Sequence, residues 1–129
     1  MKRLAIIFFA ITVLLSGCAQ PSGSTTASYK QITQEEAKEM MTNNDGHIIV
    51  DVRRQDEYDE GHIPDAVLTP NESITDKQPE ELPDLDQSIL VYCRSGRRSK
   101  EASQKLADIG YTNVYEFGGI ITWTGEIEK

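Results

Sequence analysis

Two short runs constrain this chain more than anything else in it. His47–Val52 (HIIVDV) and Ser88–Cys93 (SILVYC) are apolar and rich in β-branched residues, with no clean alternation of apolar and polar positions. A half-buried strand alternates; a strand that reads as a continuous apolar run has both faces covered. Two such strands need packing elements above and below them, and the segments between supply helical patterns. Thr33-Gln34-Glu35-Glu36 forms a capping box, with Ile32 and Ala37 placed as a hydrophobic staple. Ala37, Met40 and Met41 then make one apolar side of a short helix that stops near Asn43–Gly46. Arg53–Gly61 fits a short helix or turn, Ala66–Pro70 a brief strand, and Asn71–Gln87 a loop-rich connection with one helical turn. Ser99–Ile109 reads as a helix with Ala102, Leu106 and Ile109 on one side and Gly110 as its stop. Thr112–Phe117 is the last strand, and Gly118–Lys129 closes as a turn and short helix. Strands alternating with helices predict an α/β domain with a mainly parallel sheet. Ligands of such sheets bind beyond the carboxyl ends of the strands.

The first 28 residues read differently. Met1-Lys2-Arg3 is a basic start, and Leu4–Leu15 is an unbroken apolar run of 12 residues, too short for a spanning helix. Ser16, Gly17 and Cys18 follow. Leu15-Ser16-Gly17-Cys18 resembles the lipobox of bacterial lipoproteins. That resemblance implies cleavage after residue 17 and a Cys18 carrying diacylglycerol on sulfur and an acyl chain such as palmitate on nitrogen. Several acyl chains together hold a protein stably on a membrane. Ala19–Ser28 is small, polar and uncharged, the composition of a flexible tether. Residues 1–17 are therefore expected to be a leader, 18–28 a lipidated cysteine and tether, and 29–129 the folded domain. The expected location is outside the cytoplasm, lipid-anchored to a bacterial membrane, with the domain a monomer.

Without Lys2 and Arg3 the chain has 11 basic residues against 21 acidic, a net of −10. Such a surface excludes nucleic acid as a partner. Against that background the stretch after the second apolar run stands out. In Cys93-Arg94-Ser95-Gly96-Arg97-Arg98 three arginines fall within six residues of the only cysteine besides Cys18. Taken as a turn between strand and helix, it points backbone N–H groups inward as an anion cradle, with Gly96 permitting the bend. The helix start and the cations of Arg94, Arg97 and Arg98 favour the Cys93 thiolate over the thiol and attract an anionic substrate.

At these residues the chain resembles the single-domain rhodanese family. The resemblance covers nearly all of Tyr29–Trp123, on Ile48–Ala66 (IIVDVRRQDEYDEGHIPDA), Ile89–Ser99 (ILVYCRSGRRS) and Gly118–Trp123 (GGIITW) in order. It implies a rhodanese-like three-layer α/β domain with a five-stranded, mostly parallel sheet flanked by helices. It also implies sulfur transfer by a thiosulfate sulfurtransferase. Cys93 would take a sulfane sulfur from thiosulfate or a similar small anionic donor and hold it as a persulfide. It would then pass the sulfur to cyanide or a thiol, without metal or organic cofactor. Backbone N–H groups from Arg94 to Arg98 would steady the persulfide, with Ser95 offering a hydroxyl, and Arg94, Arg97 and Arg98 would bind the sulfonate end. Asp51 and Arg53 are candidates for supporting the loop, or for pairing with each other or Glu57 as structure. His62 more readily fixes the turn before Pro64 than serves as a base, and Trp123 reads as core. The departure from the family pattern is Asp65, where members usually carry glycine; it bears on a turn rather than on chemistry.

Two other readings compete. A cysteine phosphatase or arsenate reductase needs Cys-x5-Arg, and the residue at that place is Ser99, while Arg98 comes one position early. A non-catalytic or protein-specific persulfide carrier or sensor would look the same in sequence, since fold alone does not set function.

Overall fold

The computed structural model describes Gly17 and residues 27–129. The expected lipidation site Cys18, the expected tether up to Thr26 and the expected leader apart from Gly17 lie outside the described residues. Among those described, no helix is long and apolar enough to cross a membrane.

Five strands form one sheet in the order β1-β5-β4-β2-β3. They are β1 (Lys30–Gln31), β2 (Ile48–Asp51), β3 (Val67–Leu68), β4 (Ile89–Cys93) and β5 (Val114–Gly119). Every pairing is parallel. The two apolar runs are β2 and β4, side by side, with Ile49 opposite Leu90 and Asp51 opposite Tyr92. All five residues of β4 are buried, as a central strand covered on both faces requires.

The helices are α1 (Gln34–Met41), α2 (Gln55–Glu60) and α3 (Arg97–Ile109). The capping box at α1 forms as expected: Glu36 N–H donates to Thr33 Oγ1 at 3.1 Å, and Thr33 N–H to Glu36 Oε2 at 2.7 Å. Ala102 and Leu106 of α3 pack on Val50, Ile89, Val91 and Cys93 on one face of the sheet. Ala37 and Met40 of α1, with Tyr58 of α2, pack on Ile49, Leu90, Tyr92 and Phe117 on the other. Side chains alternate along β4, so Cys93 faces α3 while Tyr92 faces the α1 side.

Three details differ from the sequence expectation, and a fourth, at Asp65, accounts for it. The strand β1 was not legible, because its two residues are exposed and it exists only through its pairing with β5. Helix α3 begins at Arg97 rather than Ser99, with Gly96 at its N-cap at φ 108°. The last strand runs two residues further, to Gly119, and the segment after it holds a single 3-10 turn, Ile120–Thr122. Asp65 has φ 67°, the one positive φ outside glycine among the described residues, which explains why glycine suits that turn.

Candidate active site

From β2 the chain passes through α2 to β3 on one side; from β4 it passes through α3 to β5 on the other. The order reverses between β2 and β4, where an open α/β sheet leaves a crevice at its carboxyl end. The segments that follow these two strands meet there. Arg54 and Glu57, after β2, and Arg94, Ser95, Arg97 and Arg98, after β4, line a cavity of about 510 Å³ together with Glu72.

Cys93 sits behind the loop residues that line that cavity, without lining it itself. Cys93 ends β4, and its Sγ turns back into the loop, where Gly96 N–H donates to it at 3.0 Å. The residue is 1% exposed, because the short Arg94–Gly96 turn folds over the sulfur. Gly96 allows this by its left-handed φ. Gly119 allows it from the other side, since a Cβ there would lie 2.0 Å from Arg94 O and 2.6 Å from Ser95 Cα. Of the expected amides from Arg94 to Arg98, that of Gly96 reaches the sulfur. The expected hydroxyl also changes. Ser95 is exposed and lines the cavity, whereas Ser99, fully buried, places its Oγ 3.3 Å from Cys93 Sγ.

Ser99 leads further inward. Its O–H donates to Glu116 Oε1 at 2.6 Å, the length of a charge-assisted bond, in preference to Gly96 O at 3.0 Å. Glu116, on β5, is 2% exposed, and also accepts from Gly118 N–H at 2.8 Å and Gln31 Nε2 at 3.3 Å. Neither Ser99 nor Glu116 was singled out from sequence. A period-2 reading of Val114–Gly118 puts Glu116 on the same face as buried Val114, and that was the available signal.

The three arginines are not equivalent. Arg98 makes a bidentate ion pair with Glu57, at 2.7 and 3.0 Å, with both side chains mostly buried. The hydrogen bond from Arg98 leads in holding the Glu57 carboxyl down to about 2, and the same bond raises Arg98. Glu57 is itself fixed by Arg54 N–H, which donates to Oε2 at 2.9 Å. Arg97 is exposed and pairs with Glu101 one turn on. Arg94 is exposed and has no carboxylate partner among the described residues. Arg54, unanticipated at the site, lines the cavity beside them and pairs with exposed Asp56.

Asp51 and Arg53 lie on the other face. Asp51 is fully buried and binds Arg53 Nη2 at 2.7 Å; Tyr92 O–H donates to the same carboxylate at 2.7 Å. Arg53 Nη2 also donates to Gly61 O at 2.7 Å, and Ile63 N–H to Tyr92 Oη at 3.1 Å. Burial is the largest influence on Arg53 and opposes its charge, but the bond to Asp51 and the negative charges around it together outweigh burial and the guanidinium is raised; burial and the Asp51 charge hold the Tyr92 proton firmly. The pair thus joins β2 to β4 and to the end of α2, and makes no contact with Arg94–Gly96. His62 stacks on Tyr58 at 3.7 Å and lies 2.9 Å from Tyr58 O, a turn residue as expected. Trp123, half-buried, packs on Phe117.

Residues 33–126 match the family model described as rhodanese-like domain, and the chain belongs to the rhodanese family. It is 38% identical over 96 residues to the thiosulfate sulfurtransferase GlpE of Coxiella burnetii, covering 74% of this chain and 87% of that one. It is 32% identical over 71 residues to the thiosulfate sulfurtransferase PspE of Escherichia coli, covering 55% and 68%. Among solved structures, a rhodanese-like domain protein from Staphylococcus aureus superposes with a TM-score of 0.66 at 31% identity, over 77% of this chain and 96% of that one.

Proposed function

We propose that this protein is a thiosulfate sulfurtransferase acting through a persulfide on Cys93. The observation that carries the reading is the placement of Cys93 Sγ under the Gly96 amide, behind a cavity lined by four arginines in an otherwise acidic chain. The relatives named thiosulfate sulfurtransferase support it. The Cys93 thiolate attacks the outer sulfur of thiosulfate. The donor's S–S bond breaks, its electron pair leaves with sulfite, and a new bond joins that sulfur to Sγ. Cyanide or a thiolate then attacks the outer sulfur, and the pair of the Sγ–S bond returns to Cys93. Arg94 and Arg97, on the open side, meet the sulfonate; Arg98, pinned by Glu57, presents a fixed charge at the wall. Gly96 N–H stabilises the anionic sulfur in both states, and burial shields the persulfide from water and stray oxidants.

Mass spectrometry after thiosulfate treatment tests the first step, with one added sulfur expected on Cys93 and none in Cys93→Ser. Release of thiocyanate on adding cyanide tests turnover. A persulfide that forms but passes to no small thiophile supports a carrier instead, and full turnover by Cys93→Ser sinks the assignment. The leader-like start and Leu15–Cys18 support a second part of the proposal: the domain works outside the cytoplasm on a lipid anchor at Cys18. Palmitate labelling that Cys18→Ala abolishes is the expected result; labelling unchanged in that variant removes the anchor.

A further inference from the structure

Glu116 is the group the sulfur-transfer reading leaves unused. Burying a carboxylate costs several kcal/mol unless a cation offsets it, and no described Lys, Arg or His pairs with this one. A glutamine would meet Ser99 and Gly118 with similar hydrogen bonds and without a buried charge. The groups that face the carboxylate are the Ser99 hydroxyl from α3, the Gly118 amide from β5 and the Gln31 amide from β1. Cys93, on β4, stands one hydroxyl away, at 3.3 Å from Ser99 Oγ. The arrows run one way: the thiol can donate to Ser99 Oγ, and the Ser99 proton already points at Glu116.

We propose that Glu116, acting through Ser99, takes the Cys93 proton when sulfur is accepted and returns it when sulfur is given up. The inference rests on the sulfurtransferase reading. In the first half-reaction the S–H proton moves to Ser99 Oγ as the Ser99 proton moves to Glu116 Oε1. Sγ attacks the donor, sulfite leaves with its electron pair, and the products are a persulfide anion beside a neutral Glu116. In the second, the Sγ–S pair returns to Cys93, Ser99 hands Sγ a proton, and Glu116 returns its own to Ser99. One negative charge is thus kept near the sulfur at every stage, where two would repel. A neighbouring groove of about 370 Å³, which meets the arginine-lined cavity at Ser95 and is lined also by Gln31, Gln34, Lys100, Glu116 and Gly118, brings solvent to the carboxylate from the β1 side. Lys100 is the charged group lining it with Glu116. Glu116 is a positioning residue for the proton, since it reaches the sulfur only through the Ser99 hydroxyl.

The test uses the full chain loaded with thiosulfate, followed by infrared difference spectroscopy and by mass spectrometry of Cys93 on the same sample. The expected result is a new protonated-carboxyl band that accompanies the persulfide and is missing in Glu116→Gln. In single turnover, Glu116→Gln should form persulfide about tenfold more slowly at pH 6, with the deficit falling below about twofold at pH 9, where solvent takes the proton unaided. Gln31→Ala, which loosens the same carboxylate without removing it, should keep the wild-type pH dependence. Persulfide without the carboxyl band, or a Glu116→Gln deficit equal at both pH values, overturns the relay and leaves the sulfurtransferase reading standing. Absence of persulfide in the wild type overturns both.

Discussion

The two faces of the sheet each hold buried polar chemistry, and they treat it in opposite ways. On the α1 side, Arg53 and Asp51 satisfy each other, Tyr92 and Gly61 take the remaining bonds, and both charged residues are 5% exposed or less. On the α3 side, Cys93 and Glu116 are equally buried, yet neither makes an ion pair, and Arg94 is exposed with no carboxylate partner among the described residues. Closed networks rigidify a fold. Groups held short of full pairing are where a substrate can still gain something. The same residue type, arginine, is therefore structure at Arg53, buried and paired, and under the proposed function recognition at Arg94, exposed and without a carboxylate partner among the described residues.

The sharpest way to break that division is Asp51→Ala. It strands the buried Arg53 guanidinium, so unfolding stability should fall by about 3–5 kcal/mol, read as a lower urea midpoint. A loss below about 1 kcal/mol would mean the network is ornamental and the division false.

The Glu57–Arg98 pair lies between the two extremes, and pH separates its roles. Glu57 is depressed from the ordinary 4.5 to about 2. A carboxyl lowered by folding contributes its stability in full above the unfolded value and loses it as pH falls through the folded one. Unfolding midpoints should therefore decline between pH 4.5 and about 2, and Glu57→Gln should flatten that part of the curve. An unchanged curve in Glu57→Gln would leave Arg98 held by something else.

The smallest effect belongs to Arg94→Ala. An exposed, screened charge contributes roughly 0.2–1 kcal/mol, so KM for thiosulfate should rise about 1.4- to fivefold on that scale. Stability should stay within about 0.5 kcal/mol. A stability loss comparable with that of Asp51→Ala would erase the distinction between the faces.

How much of this was legible beforehand follows from what is local. The apolar runs at Ile48–Asp51 and Ile89–Cys93 and the capping box at Thr33 carry their structure in neighbouring residues, and they folded as read. The cysteine with its cations was likewise visible within six residues. Helix α3 starts two residues earlier than the turn read over Cys93–Arg98 allowed, although cations in a first turn oppose the helix dipole. Glu57 and Glu101, from α2 and from one turn on, balance Arg98 and Arg97 and let the helix begin earlier. Ser99 and Glu116 are 17 positions apart and meet only because β5 pairs with β4. Arg54 reaches the cavity only because the order of strands reverses beside it. Nothing within a window of sequence encodes those meetings.

Gly119 carries a consequence for how the molecule is made. It pairs with Cys93 across the sheet, lies against Arg94 and Ser95 with no room for a methyl group, and is followed by Ile121 N–H bonding Arg94 O at 3.2 Å. The shape of the turn over the sulfur is thus moulded by residues synthesised about 25 positions later. A nascent chain that has released Cys93 but not Gly119 carries the thiol without its housing, so the turn over the sulfur closes only after β5 has been made.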